Sequence, residues 1–210
     1  CGSGMKTVML AFEALHARPR DVIVAGGMES MTNAPYLLPK MRGGARLGHT
    51  EVKDHMFLDG LEDAYEKGRL MGTFAEDCAG LYNFTREQQD ALALGSQQKA
   101  AAAQEAGKFK TEIVPVSIPQ RKGDPIVFDA DEFINKKTNA EALAGLRPAF
   151  DKAGSVTAGN ASGINDGAAA MVMMRAGTAA ELGCKPLARI VAHATHAQEP
   201  NWFATAPVGA

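Results

Sequence analysis

The 210 residues are 46% hydrophobic and 22% charged, which is typical of a globular protein with a substantial core. A net charge of -2 and a pI near 6.2 argue against nucleic acid or an anionic membrane as the main partner. Three scattered cysteines form neither a disulfide framework nor a metal-binding spacing. We therefore expect a cytoplasmic protein without a metal centre, bound neither to nucleic acid nor to a membrane.

The first elements predicted from the sequence are a helix and a strand. Apolar residues spaced three and four apart indicate an amphipathic helix from Gly4 to about His16. The β-branched run from Asp21 to Ala25 predicts a buried parallel strand, and the loop after it begins at Gly26-Gly27. A helix followed by such a strand is typical of a βαβ unit, whose first strand we expect upstream of Cys1. The sequence thus predicts an α/β fold.

A long segment then interrupts the α/β pattern. From Met31 to about Asp151 the sequence is rich in proline and glycine, which predicts an inserted subdomain. Inside it, Thr85 and Gln88 form a capping box ahead of a helix that ends near Gly107. The alternation from Glu112 to Ile118 and the turn residues after it predict a β-hairpin.

Small residues dominate the stretch from Gly154 to Gly167, which indicates backbone that passes close to another group. The apolar run from Ala168 to Met174 predicts a buried strand after it. A short helix around Ala179 to Leu182 and a second apolar strand over Ala188 to Val191 are expected next.

Cys1 is the best candidate for a nucleophile. The positive end of a helix and its free N–H groups stabilise a thiolate, and the glycines Gly2 and Gly4 let a substrate approach the backbone. Spacing alone leaves an incidental or buried cysteine as an equal alternative. Cys78 and Cys184 lack this setting, and we interpret both as structural.

Other polar residues carry weaker signals. The segment after the first predicted strand lacks the spacing of a phosphate loop, and we interpret Glu29 as a residue that ties down this loop. None of the five histidines has metal-ligand spacing. We interpret His193 and His196, at the end of a predicted strand, as solvent-facing or hydrogen-bonded.

Several motifs in series resemble the thiolase family. Residues 1–6, Cys-Gly-Ser-Gly-Met-Lys, resemble the active-site motif, and Ala25 to Met31 with Ala34-Pro35 follow at the family's interval. Further matches are Lys108 to Pro115, Leu146 to Phe150 and Thr157 to Ala170. The resemblance covers essentially the whole chain.

The resemblance implies part of the five-layer αβαβα thiolase fold, which has two similar halves and a loop domain inserted in the first. Residues 1–30 and 163–185 would belong to the N-terminal half, and residues 186–210 would start the C-terminal half. Residues 31–162 would form the inserted loop domain, which binds coenzyme A. The family also implies a homo-oligomer, a dimer or a tetramer.

The implied activity is that of an acyltransferase, in which Cys1 takes the acetyl group of acetyl-CoA and a second acetyl-CoA attacks the resulting thioester. The products are acetoacetyl-CoA and coenzyme A, and thiolysis is the reverse. Coenzyme A thioesters are the substrates, and no further cofactor is implied. By motif, Met71 would line the acyl pocket. The residues implied to contact coenzyme A are Phe150, Ala158, Ala161 and Ser162.

The sequence departs from the family at two positions. Leu70 stands where many members have histidine, and Asn135 stands where some have an arginine near the nucleotide phosphates. The base motif G-H-P, the second-cysteine motif C-x-G-G-G and the N-E-x-F-A motif are expected after Ala210. We therefore expect the 210 residues alone to be inactive.

Three alternatives remain open at this point. The first is a degradative thiolase for longer 3-oxoacyl-CoA substrates. The second is a catalytically incomplete fragment that binds coenzyme A. The third is a hydrolase in which Cys1 is an N-terminal nucleophile and its own amine is the base.

Overall fold

The computed structural model describes residues 2–210, so Cys1 lies outside the described residues. The helices are Ser3–Ala17 (α1), Met71–Leu81 (α2), Arg86–Glu105 (α3), Ala140–Ala144 (α4), Ala176–Glu181 (α5) and Ala206–Gly209 (α6). The strands are Ile23–Glu29 (β1), Tyr36–Leu37 (β2), Lys53–Asp54 (β3), Val116–Ile118 (β4), Ile126–Phe128 (β5) and Gly167–Met173 (β6). None of the helices among these residues has the length and apolar character needed to cross a bilayer.

The chain divides into two compact units. The first is Cys1–Met71 with Gly163–Ala210, and the second is Gly72–Ser162. The boundaries expected from the family resemblance, with a loop domain over residues 31–162, stay a prediction.

The core of the first unit lies between α1 and the β1–β6 pair. Ala11 and Leu15, one helical turn apart on α1, are buried against Ala25 of β1 and Met173 of β6. The predicted amphipathic helix is confirmed, and it extends one residue further at each end than expected. The short helix expected near Ala179 is confirmed as α5.

The direction of β1 differs from the prediction. It pairs antiparallel with β6, from Ile23 opposite Met173 to Glu29 opposite Gly167. The expected parallel strand is therefore wrong, and so is the loop expected at Gly26-Gly27, because β1 continues through both glycines. Strand direction depends on a partner more than 130 residues away in the sequence, which local periodicity does not report.

Gly26 shows why glycines are found inside β1. A Cβ atom built there would lie 2.8 Å from the Cα atom of Ala170 and would overlap the carbonyl oxygen of Ala169. Glycine is the residue that allows this close approach between the two strands.

The strands of this pair are less buried than expected. Val24 of β1 and Val172 of β6 are exposed, because α1 covers one face of the pair and the described residues leave the other face open. The second apolar strand expected over Ala188–Val191 is wrong, since this segment pairs with no strand among the described residues. Apolar character alone did not distinguish a paired strand from an irregular segment.

The second unit contains the elements with the clearest local signals. The capping box is confirmed, because the Thr85 side chain accepts from the Gln88 backbone N–H and the Gln88 side chain accepts from the Thr85 backbone N–H. The hairpin is also confirmed, with Val116 opposite Phe128. Strand β4 is shorter than expected, because the backbone N–H of Ile113 still bonds to a preceding turn.

We expect the substitution Gly26→Ala to lower the free energy of unfolding of the full-length protein by about 1–3 kcal/mol, because the new methyl group overlaps the β6 backbone. Gly167→Ala is the control, since a Cβ at that position in β6 meets no atom within 4 Å. Urea unfolding of both variants measures the difference. Equal loss of stability in the two variants would contradict the close approach described here.

Candidate active site

The N-terminus of α1 is open. Gly2 is the N-cap residue, no side chain among residues 2–210 caps the helix, and the first turn contains no acidic residue. The first hydrogen bond of the helix runs from the Lys6 N–H to the Gly2 carbonyl oxygen at 2.9 Å. The N–H groups ahead of it are suited to an anionic partner. Cys1, the predicted nucleophile, precedes this end in the sequence and lies outside the described residues.

Thr7 fastens the first turn of α1 to β1. Its hydroxyl oxygen lies 2.7 Å from the Gly4 carbonyl oxygen and 3.1 Å from the Gly26 carbonyl oxygen, so the hydroxyl can donate to either. A Cβ on Gly27 would lie 3.7 Å from the Cα of Gly4. The first turn of α1 therefore lies directly over the glycine-rich part of β1.

Asp166 ties the loop after β1 to the loop before β6. Its carboxylate accepts a hydrogen bond from the Thr32 N–H at 2.9 Å. Hydrogen bonds from Thr32 hold the pKa of Asp166 below its ordinary value. A carboxylate with a lowered folded-state pKa stabilises the fold above its ordinary pKa, and this contribution is lost as the pH falls through the lowered value.

In the second unit, the carboxylate of Glu76 holds the start of a small-residue loop. It accepts from the Val156 N–H at 2.7 Å, from the Ser155 N–H at 2.9 Å and from the Ser155 hydroxyl at 3.1 Å. A Cβ on Gly154 would lie 2.6 Å from the Cδ atom of Glu76. The close backbone approach predicted for this stretch is therefore confirmed.

Asn160 holds the middle of the same loop. Its Oδ1 accepts from the Thr157 N–H at 2.7 Å, and its Nδ2 donates to the Ser155 carbonyl oxygen at 3.0 Å and to Asp90 Oδ1 at 2.9 Å. Asp90 and Thr157 are buried. The polar groups of the loop thus bond inside the unit instead of to solvent.

Arg86 completes this chain of contacts. Its Nε lies 2.7 Å from Asp90 Oδ2, and one terminal nitrogen donates to the carbonyl oxygens of Leu143 at 2.6 Å and Leu146 at 3.0 Å. These carbonyls lie at the C-terminal end of α4, where a cation is favourable. Asp90 is buried and Arg86 is half-buried, so removing Arg86 would leave the Asp90 charge without its partner.

The same two leucines pack against the loop. A Cβ on Gly159 would lie 2.6 Å from Leu143 Cδ2 and 2.6 Å from Leu146 Cδ1. The loop is therefore held by hydrogen bonds on one side and by leucine side chains on another.

The residues implied to contact coenzyme A lie at the surface of this arrangement. Ala158, Ala161, Ser162 and Phe150 are all exposed. The segment before Phe150 runs beside the loop, because the Ala149 N–H donates to the Val156 carbonyl oxygen at 2.9 Å. The segment that leads to Phe150 thus runs beside the loop, and the contact of these four residues with coenzyme A stays a prediction.

The remaining residues of the predicted site are placed separately. Met71 is half-buried, is the first residue of α2 and belongs to the first unit. Leu70 forms a β-bridge with Glu62. Asn135 accepts from the Lys137 N–H at 3.0 Å and sits in an exposed turn. A role for Met71 in an acyl pocket stays a prediction.

The other cysteines differ from each other. Cys78 is half-buried on α2, and burial raises the pKa of its thiol, with a smaller contribution from the Asp77 carboxylate. A raised pKa lowers the thiolate fraction and so the reactivity. Cys184 is exposed, which does not fit a structural role in a core.

The two histidines near the C-terminal end of the chain do not flank a strand, contrary to the prediction. His193 Nε2 lies 3.8 Å from Glu13 Oε1, and its ring meets Phe12 edge-on. His196 is exposed and lies 3.2 Å from the Gln198 side-chain oxygen. Among residues 2–210, no three His, Cys, Asp or Glu side chains gather as a metal site would require.

Four residues of the loop network were not identified from the sequence: Arg86, Asp90, Glu76 and Asn160. The spacing of Arg86 and Asp90, four apart on a predicted helix, was the only local signal. The bonds that join these residues across the unit span 57 to 80 residues, so the sequence did not show which polar side chains would meet.

Comparison with known proteins identifies the family. The model of the thiolase N-terminal domain matches residues 1–177. The chain belongs to the thiolase family. It is 55% identical over all 210 residues to an acetyl-CoA acetyltransferase of Allochromatium vinosum and 53% identical to one of Cupriavidus necator.

The chain spans about half the length of the curated relatives it matches, 53% in both of these cases. A solved structure of an acetyl-CoA acetyltransferase from Syntrophomonas wolfei matches the whole chain with a TM-score of 0.93 at 42% identity. The chain covers 52% of that structure. The predicted α/β thiolase fold is thereby confirmed.

Gly72 offers a test of the packing at Phe150. A Cβ on Gly72 would overlap the Phe150 ring, whereas a Cβ on Gly80 in the same helix meets no atom within 4 Å. We expect Gly80→Ala to raise the free energy of unfolding by up to about 1 kcal/mol, because alanine is the better helix former. We expect Gly72→Ala to lower it by about 1–3 kcal/mol, because the ring must move.

Urea unfolding of the full-length protein compares the two variants. A gain in stability of the same size at both positions would show that Phe150 does not pack on Gly72.

Proposed function

We propose that the full-length thiolase is an acyltransferase that condenses two acetyl-CoA molecules to acetoacetyl-CoA and coenzyme A, and that also catalyses the reverse thiolysis. The observation that carries the proposal is the Cys-Gly-Ser-Gly motif of residues 1–4, which leads into the open N-terminus of α1. The two relatives named acetyl-CoA acetyltransferases, at 55% and 53% identity, support the choice of acetyl-CoA.

In the first step, the Cys1 thiolate attacks the thioester carbonyl carbon of acetyl-CoA. The C–S bond to coenzyme A breaks, and coenzyme A leaves as a thiol after it takes a proton. The N-terminus of α1, which Thr7 positions, would stabilise the Cys1 thiolate. A larger fraction of Cys1 would then be ionised near neutral pH. The product is an acetyl-cysteine.

In the second step, a base removes a proton from the methyl group of another acetyl-CoA. The resulting carbanion attacks the acetyl-cysteine, a carbon–carbon bond forms, and the Cys1 thiolate is released. The G-H-P and C-x-G-G-G motifs that would supply the base and the second cysteine occur nowhere in the 210 residues. The proposal therefore includes that these 210 residues alone do not catalyse the reaction.

The loop of the second unit would bind the substrate. Ala158 and Ala161 offer small side chains beside which a pantetheine chain can lie, and Ser162 offers a hydroxyl group. Phe150 would add an apolar surface next to them. Met71 would line the acyl pocket. Coenzyme A thioesters are the only small molecules that the proposal requires.

The assembly proposed for the full-length protein is a homo-oligomer, a dimer or a tetramer, in the cytoplasm. The β4–β5 hairpin supports this part of the proposal. Its apolar side chains are exposed on both strands, namely Val116, Ile118, Ile126, Val127 and Phe128. An exposed apolar hairpin of this kind is suited to contact with another subunit.

Mass spectrometry of the full-length protein after mixing with acetyl-CoA tests the role of Cys1. We expect the wild type to gain one acetyl group, and Cys1→Ala to gain none and to lose thiolysis of acetoacetyl-CoA. Cys184→Ala is the control, because that thiol is exposed yet plays no part in the proposed chemistry. We expect it to be acetylated like the wild type.

Acetylation that persists in Cys1→Ala would contradict the proposal. Preference for long 3-oxoacyl-CoA substrates over acetoacetyl-CoA in the wild type would keep the role of Cys1 and overturn the choice of acetyl-CoA.

A further inference from the structure

We propose that Asn160 is a positioning residue that sets the affinity of this thiolase for coenzyme A thioesters, because it holds the loop Thr157–Ser162 on the buried carboxylate of Asp90. This inference rests on the proposed function, since it takes the exposed residues of that loop as the surface that binds coenzyme A.

The Asn160 amide has a defined orientation. Asp90 Oδ1 at 2.9 Å and the Ser155 carbonyl oxygen at 3.0 Å can only accept, so the nitrogen of the amide must face both. The amide oxygen then faces the Thr157 N–H at 2.7 Å. One side chain thus bonds to two backbone groups of its own loop and to one carboxylate of α3.

The loop has an inner and an outer side. Thr157 is fully buried, whereas Ala158, Ala161 and Ser162 are exposed. Asn160 lies between the exposed residues in sequence, and its bonds run inward to Asp90, which Arg86 holds at 2.7 Å. The exposed positions are therefore set by contacts that lie on the inner, part-buried side of the loop.

A loop that already has its binding shape loses less conformational freedom when a ligand binds. In the proposed mechanism, Asn160 contacts none of the groups whose bonds form or break at Cys1. Loss of its hydrogen bonds should therefore raise KM and Kd for the coenzyme A compound much more than it lowers kcat.

The variant Asn160→Asp tests this with a pH profile. Aspartate can still accept from the Thr157 N–H, but an ionised aspartate can donate neither to Asp90 nor to the Ser155 carbonyl oxygen, and it places a second carboxylate against that of Asp90. Two neighbouring carboxylates do not both ionise easily, and protonation of one restores a donor between them. Calorimetric titration of the full-length protein with coenzyme A gives Kd at each pH.

We expect Kd of Asn160→Asp to be about tenfold or more above that of the wild type near neutral pH, as loss of one buried hydrogen bond to a charged group predicts. The difference should shrink as the pH falls, because protonation of one carboxylate of the pair removes the repulsion between them. The double variant Asn160→Asp with Asp90→Asn restores the donor–acceptor pair between these two side chains, but not the bond to Ser155 or the charge that faces Arg86. We expect it to regain part of the affinity and to lose the pH dependence.

Asn139→Asp is the matched control. Asn139 caps α4 by accepting from the Ala142 N–H at 2.8 Å, and aspartate caps a helix equally well. It brings the same change of charge in the same unit. We expect it to bind coenzyme A with the affinity of the wild type at every pH.

The outcomes separate the two proposals. A wild type that does not bind coenzyme A overturns the proposed function. A wild type that binds, with Asn160→Asp equal to it at all pH values, overturns the positioning role alone. Where Asn160→Asp does not fold, Asn160→Ala replaces it in the titration and in steady-state kinetics. A fall in kcat with an unchanged KM in that variant would equally contradict the positioning role.

Discussion

Two carboxylates determine the shape of the loop that carries the predicted coenzyme contacts. Glu76 accepts backbone N–H groups at its start, and Asp90 accepts the Asn160 amide at its middle. The backbone N–H groups of a loop outside helices and sheets must find other acceptors, because buried donors need partners. Hydrogen bonds to charged acceptors are stronger than those to neutral ones. Without these two anions, the N–H groups of residues 155 and 156 would lose the acceptors that the described structure gives them, and the Asn160 amide would lose its bond to α3.

Two glycines near these carboxylates pack closely against other side chains. Gly154 leaves room for the Glu76 carboxylate, and Gly159 leaves room for Leu143 and Leu146. The first unit likewise combines a side-chain hydrogen bond with a closely packed glycine. Thr7 bonds to the Gly26 carbonyl oxygen, and Gly26 itself fits tightly against β6. In both units, glycines allow an approach to the backbone that a larger side chain would block.

The sequence predicted the elements whose signals are local. The helical face of α1, the Thr85 capping box and the β4–β5 hairpin each depend on residues within a few positions of one another. The glycine-rich stretch from Gly154 also indicated close backbone approach correctly. The motifs that resemble thiolases led to a family and a fold that the comparisons confirmed.

The features that the sequence did not predict depend on distant partners. The direction of β1 is set by β6, and an apolar segment such as Ala188–Val191 becomes a strand only where another edge is free to pair with it. The charges of Glu76 and Asp90 resemble ordinary surface charges on α2 and α3. Their hydrogen bonds to this loop span 70 or more residues.

The loop that carries the predicted coenzyme A contacts is already formed before any substrate binds. Amide hydrogen exchange of Ser155, Val156 and Thr157 in the ligand-free, full-length protein tests it most directly. Because each N–H donates to an internal acceptor, we predict exchange slower than in an unstructured peptide by about 100-fold or more. Exchange at the unstructured rate, with protection only after coenzyme A is added, would contradict the claim.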